Sequence, residues 1–370
     1  MAYDRTKPFN DLPHLPPFAE VENDIEILKK LVTSSRALAA VNSSVQRLPN
    51  PEMLINTIAL QEAKTSTEIE NIFTTEDALY KAVSDTFQEE RATPAIKEVL
   101  KYREALWKGH KMIQGKGVID LESVISIFRQ IKDSSEGLRA PQSLTVINRG
   151  NSEFRQGEVI YTPPRGAGVL EILMDNLLDY MNDDKKYPAD PLLKMCIAHY
   201  QFESIHPFSD GNGRTGRIIN LLYLVNKGLL TQPVLYLSKY ILLNKDDYYY
   251  NLGVVTQRKS WKLWILYMLE AVEKTALLTS KLIDSIMAQM EATLDYAKNN
   301  IKWYNKEVNE LLFSQPYIKP KLLGDLLNVS SRTTLTKYFS ELVKEKILIP
   351  VKEGKELYYI NSDLINILES

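Results

Sequence analysis

The sequence is poor in whatever would tie a chain together covalently or anchor it in a bilayer. Cys196 is the only cysteine among 370 residues, which excludes an intrachain disulfide and any cysteine-built metal cluster. Its neighbours Met195 and Ile197 mark it as a small apolar core residue. No apolar run approaches the ~18 residues that a membrane span requires. The opening stretch MAYDRTKPFNDLPHLPPFAE is polar and proline-rich where a signal peptide has a basic start and an apolar run. Charge of one sign is also lacking: 45 Lys and Arg against 47 Asp and Glu leave a net charge of -2, no whole-chain signal for nucleic acid or an anionic membrane. The expectation is a cytoplasmic protein of two or three domains with no membrane partner.

What the chain has in quantity is helical periodicity, which predicts a mainly α fold. Val21, Ile25, Leu28, Leu31 and Val32 share the spacing of one amphipathic face. Asp190 and Pro191 read as an N-cap and first-turn pair, and Leu192, Leu193, Cys196, Ile197 and Tyr200 as the buried face of the helix that follows. Pro207 disfavours helical geometry at His206, so that helix is expected to stop there. A second helix is expected from Arg214, with Ile218, Ile219, Leu221, Leu222 and Val225 apolar and Gly228 at its end.

The loop between these helices, HPFSDGNGRTGR at His206 to Arg217, contains three overlapping patterns. Gly211, Gly213 and Gly216 spell a dinucleotide fingerprint, but a helix precedes it where a strand is needed, and no acid lies near Leu235 to Leu237. Asp210 and Asn212 imitate the start of a calcium loop whose twelfth position is Leu221 instead of a bidentate glutamate. What remains is a helix N-terminus. Its free amides and dipole favour an anion, and Gly211 and Gly213 let a phosphate approach the backbone. Arg214 and Arg217, three residues apart, can both grip phosphate oxygens. Asp210 is placed for a magnesium ion bridging those oxygens, and His206 for a general base taking a proton from a hydroxyl nucleophile.

Nine specified positions, His206, Pro207, Phe208, Asp210, Gly211, Asn212, Gly213, Arg214 and Arg217, match the motif of the Fic family, and the chain resembles that family on this ground. The resemblance implies transfer of AMP from ATP to a Ser, Thr or Tyr hydroxyl of a target protein. It implies that His206 deprotonates the hydroxyl, Asp210 binds Mg2+, Asn212 contacts the α-phosphate region, Arg214 and Arg217 hold the β- and γ-phosphates, and Phe208 anchors the loop. Upstream, RGNSEFRQGEVIYTPP resembles the family's flap hairpin, with Arg155, Val159 and Pro164 at fitting positions; downstream, NKDDYYYNL places Tyr248 and Tyr249 either against the purine or in the core. Intact His206 leaves removal of AMP, or transfer of another phosphorylated group, open at the same site.

A shorter signature lies at STEIEN, residues 66–71, which resembles the inhibitory motif of Fic proteins through Ser66, Glu70 and Asn71. Thr67 and Glu70 are also spaced as a capping box at a helix start. The inhibitory reading has Glu70 pair with Arg217 and occupy the group that should orient the γ-phosphate. Near the C-terminus, KPKLLGDLLNVSSRTTLTKYFSELVKEKILIPVKEGKELYYI reads as helix, turn, helix and hairpin, with Ser330 or Ser331 as a cap, and resembles a winged-helix domain. Eight Lys and Arg against seven Asp and Glu over residues 319–370 suit packing, dimer or protein-docking roles better than DNA, which keeps a nucleotide-sensing DNA-binding regulator as the alternative. His199 has no third ligand for a zinc site and is expected to be structural. The expected organisation is a helical N-terminal region (1–105), a Fic core with its flap (106–285), and a linker helix with the winged-helix unit (286–370).

Overall fold

In the computed structural model the chain is described over residues 3–17, 19–48, 51–84, 92–149, 157–353 and 356–369. After a 3-10 turn at Ala19–Asn23 come α1 (Ile25–Gln46), α2 (Pro51–Ile69), α3 (Glu76–Ser84), α4 (Pro94–Lys116) and α5 (Leu121–Lys132). An antiparallel pair, β1 (Ile147–Arg149) and β2 (Glu158–Tyr161), precedes α6 (Val169–Asn182), α7 (Pro191–Ile205), α8 (Asn212–Asn226), α9 (Leu237–Leu243), α10 (Lys245–Arg258) and α11 (Lys262–Asn300). The chain finishes with α12 (Lys306–Phe313), β3 (Tyr317–Ile318), α13 (Pro320–Leu327), α14 (Arg332–Lys344), β4 (Ile349–Glu353), β5 (Glu356–Ile360) and α15 (Ser362–Glu369), its strands ordered β3-β5-β4. The mainly helical fold with small antiparallel sheets is as expected, and none of the helices described is long and apolar enough to cross a membrane.

Helix α1 corrects one expectation. Asp24 caps it by accepting from the amides of Glu26 and Ile27, but Ile25, Leu28 and Val32 are 69%, 42% and 48% exposed. The buried stripe is Ile27, Leu31, Ser34, Leu38, Val41 and Val45. Small residues shifted it: Ser34 and Ala37 let α1 lie close along α11, where the Ser34 hydroxyl reaches the carbonyl of Leu269 at 2.8 Å. A count of large aliphatics cannot see a contact face built partly from serine and alanine.

Helices α7 and α8 form the centre. Asp190 caps α7 through the Leu192 amide, as expected, yet α7 is buried on nearly every side, including Lys194 and His199. Cys196 sits at full burial and burial pushes its thiol pKa well up, which makes it inert. Helix α8 begins at Asn212, two residues before the expected start, with Gly211 in the left-handed region at φ 78°; Ile218, Ile219, Leu221 and Leu222 are buried and Gly228, at φ 70°, follows its end. The C-terminal elements gather a second core around Leu312, Ile318, Phe339 and Leu342. There the expected helix, turn, helix and hairpin are found, with Ser331 as the cap of α14. Helix α11 runs unbroken past residue 285, so the expected core and C-terminal units share it.

Candidate active site

The loop between α7 and α8 is locked both by its own residues and from outside. His206 ends α7 in the left-handed conformation (φ 51°), its amide donating to the Phe202 carbonyl at 2.9 Å. Such a backbone is uncommon outside glycine and marks a chain reversal held by its surroundings. Asn212 supplies part of that hold: its carboxamide accepts from the Phe208 amide and donates to the Phe208 carbonyl, both at 2.9 Å. The fully buried Phe208 ring stacks on Phe128 of α5 with centroids 4.0 Å apart.

Arg139, which no sequence pattern singled out, closes the loop from outside. Its guanidinium donates to the carbonyls of His206 (2.8 Å), Pro164 (2.5 Å) and Ile205 (3.2 Å), and its amide donates to the Pro207 carbonyl at 2.9 Å. One buried cation therefore ties the histidine loop to the segment after β2. Burial, with Arg139 close by, lowers the His206 pKa to about 4, so the imidazole is neutral near pH 7, and its Nδ1 has no hydrogen-bond partner.

At the start of α8 each charged side chain has a counterion. The Asp210 carboxylate, 68% exposed, meets the Lys132 ammonium at 2.7 Å and accepts from the Gly211 amide at 2.7 Å. Burial is the largest single influence and acts to raise its pKa, but Lys132, the Gly211 amide and Arg214 together hold the carboxyl below its ordinary value. Arg214 pairs with Glu98 of α4 while its Nε is left without a partner. Arg217, 2% exposed, donates to the Ser66 hydroxyl (2.8 Å), the Ser66 carbonyl (2.9 Å) and Glu70 Oε1 (2.8 Å). Burial disfavours its charge, and Glu70 together with Tyr102 and Tyr248 reverses that and raises its pKa. Lys132 and Glu98 were also invisible in the sequence, because only tertiary packing brings α5 and α4 to the loop.

The structure brings the two distant signatures together and removes the capping box. Ser66 and Thr67 are fully buried near the C-terminal end of α2, not at a helix start, and the Thr67 hydroxyl donates back to the Ala63 carbonyl at 2.7 Å. Glu70 lies one residue beyond α2, followed by Asn71 at φ 62°. Behind Ser66 a buried polar cluster continues the contact: Tyr102 donates to Glu62 at 3.3 Å, and Ser238 donates to Glu62 from its amide (3.0 Å) and hydroxyl. Burial pushes the Glu62 carboxyl up to about 7.

A cavity of about 370 Å³ opens on this assembly, lined by His206, Gly213, Arg217, Glu70, Tyr248 and Tyr249 among others. The Tyr248 hydroxyl is taken by His199 Nε2 at 2.9 Å and its ring packs near Trp264, so it works in the core as well as the wall, and His199 is structural as expected. Tyr249 is only partly buried. Strands β1 and β2 border the same cavity through Ile147, Ile160 and Tyr161; Val159 pairs with Asn148, whereas Arg155 lies outside the described residues. Among the described residues no three His, Cys, Asp or Glu side chains converge to hold a metal. Magnesium needs only one or two carboxylates beside substrate phosphates, a donor set that Asp210 meets from the protein side.

A helical core with a glycine-rich helix start beside a buried histidine and a two-stranded antiparallel pair defines a class, and the comparisons agree with it. Residues 28–111 match the Fic/DOC family N-terminal profile, 118–224 the Fic/DOC family profile, and 289–364 the C-terminal domain of SoFic-like protein adenylyltransferases. The chain belongs to the Fic/DOC family. It is 40% identical over 110 residues to protein adenylyltransferase fic-1 of Caenorhabditis elegans (30% of this chain, 20% of that protein). To protein adenylyltransferase Fic of Aedes aegypti it is 29% identical over 120 residues (32% and 22%). The matches thus span about a fifth of these curated relatives. A Fic family protein from Desulfovibrio desulfuricans shares the fold with a TM-score of 0.56 at 18% identity, covering 94% of this chain and 98% of the other. A Fic domain protein from Bacteroides thetaiotaomicron gives 0.53 at 17% identity, covering 68% and 97%.

Proposed function

We propose that the chain is a magnesium-dependent protein adenylyltransferase held here in an inhibited arrangement. The observation that carries this reading is the pairing of Arg217 with Glu70 at 2.8 Å inside the cavity that also exposes His206. Neutral His206 takes the proton of a Ser, Thr or Tyr hydroxyl on a target protein. The freed oxygen attacks the α-phosphorus of ATP, the bond to the β-phosphate oxygen breaks, and pyrophosphate departs. Asp210 would hold Mg2+, which supplies charge neutralisation along the phosphates. The amides opening α8 and the free Nε of Arg214 receive phosphate oxygens. Asn212, with its oxygen already committed to Phe208, acts first by fixing the loop and can lend only its remaining N–H to the α-phosphate region. Tyr249 suits the wall against the purine. While Glu70 occupies Arg217, the γ-phosphate has no seat and ATP binds unproductively. The C-terminal unit is read as a winged helix used for packing or docking, and the chain as working in the cytoplasm.

Mass spectrometry after incubation with magnesium and ATP tests this reading. Glu70→Gly is expected to gain AMP, with a mass increase on a hydroxyl side chain, and wild type to gain far less. No AMP on either protein or on added candidate targets would overturn it.

A further inference from the structure

Away from the histidine loop, one face of α4 carries cations for which no hydrogen-bonded carboxylate partner is found among the described residues. Arg103, Trp107 and Lys111 follow each other at intervals of four and so form one stripe, with Lys108 at its edge. The stripe walls a groove of about 680 Å³ whose other sides come from α2, through Asn56, Thr57 and Leu60, and from the connection Ser314 to Pro316. The Thr57 hydroxyl donates to the Ser314 carbonyl at 2.9 Å and pins that connection in place. Arg103 is half-buried, and burial lowers its pKa below the ordinary arginine value, yet its guanidinium makes no ion pair or hydrogen bond among the described residues. The Trp107 indole N–H is likewise buried without an acceptor, its ring set edge-on against His110 at 5.7 Å. Glu104, the one carboxylate of the described lining, accepts from Gln130 at 3.0 Å and acts on Arg103 only through its field, with burial the larger influence on the guanidinium.

A desolvated, unpaired guanidinium is costly, and the cost is removed when an anion presents two oxygens to its fork. The indole offers a further donor and an aromatic face, while Leu60, Val83 and Pro316 supply apolar wall in a groove of the size that takes a small ligand. We propose that this groove binds an aromatic organic phosphate of nucleotide size, its phosphate on Arg103 with Lys108 and Lys111 at the mouth and its ring beside Trp107. An acidic peptide is the less suited occupant, because the site is a short walled groove and not an open strand edge.

Calorimetric titration of the full-length chain with GMP tests the assignment, set beside the same titration of Arg103→Gln. Wild type is expected to take up one more equivalent than Arg103→Gln, or to bind the second equivalent ~10-fold or more tightly, the worth of a charge-assisted pair. Trp107→Phe should weaken that same equivalent several-fold. Melting temperature guards the comparison: losing an unpaired half-buried charge should leave Arg103→Gln at least as stable as wild type. Equal uptake by wild type and Arg103→Gln overturns the proposal. So does binding of a hexaglutamate peptide, dependent on Arg103, in the absence of GMP binding.

Discussion

Two stretches of about a dozen residues or fewer meet at Arg217, and they are built in opposite ways. The loop from His206 to Arg217 carries much of its own scaffold: Asn212 grips the Phe208 backbone, and Gly211 turns into α8. The stretch from Ser66 to Asn71 gains its meaning only from a partner about 150 residues away, through three hydrogen bonds to one guanidinium. The first is a fixed instrument. On the proposed reading the second is a removable occupant, since Glu70 lies beyond the last turn of α2 and its side chain is still 35% exposed.

The largest test asks whether chemistry and scaffold separate within the loop. His206→Ala should lower AMP transfer by ~10²- to 10⁴-fold, the usual worth of a general base, with ATP affinity measured by calorimetry nearly unchanged. Parallel loss of both would make His206 a structural residue. Phe208→Ala should instead strike the scaffold, costing about 3 to 5 kcal/mol through the cavity left beside Phe128, read as a fall in melting temperature.

Glu70→Gly probes the other stretch. Autoadenylylation should rise tenfold or more, since each ~1.4 kcal/mol of lost pairing is a factor of ten. Arg217→Ala should not reproduce the rise, because it discards the phosphate ligand with the lock. A flat rate for Glu70→Gly would make the two stretches parts of one fixed structure. The smallest effect concerns pH. With the His206 pKa lowered from 6.5 to about 4, the base is unprotonated above that range, so the acid limb of the Glu70→Gly rate profile should fall as pH drops through about 4, not near 6.5.

The same contrast explains what was legible beforehand. The loop could be read because its function is encoded in adjacent residues: a proline stopping one helix, glycines opening the next, and charges at fixed spacing. The 66–71 stretch was ambiguous because Thr67 and Glu70 fit a cap locally, and only the packing of α2 against α8 shows that Thr67 is interior and Glu70 beyond the helix end. Arg139 lay in a polar segment with no period and Lys132 at the polar end of an amphipathic helix, and their partners are backbone carbonyls and a distant carboxylate. Helix α1 misled because serines and an alanine complete a contact face whose large aliphatics lie one position off the expected stripe.

Gly213 sits where the two stretches touch. A Cβ there would stand 2.6 Å from Glu70 Oε1 and 2.9 Å from Arg217 Nη1. A side chain at this position would therefore crowd both ends of the Glu70–Arg217 pair at once, and one of the two would have to move. The absence of a Cβ at one residue is thus what lets the carboxylate of one stretch and the guanidinium of the other close on each other. On the proposed inhibitory reading, a change on the α2 side such as Glu70→Gly frees Arg217 without adding bulk at this contact, whereas a change at Gly213 disturbs both partners.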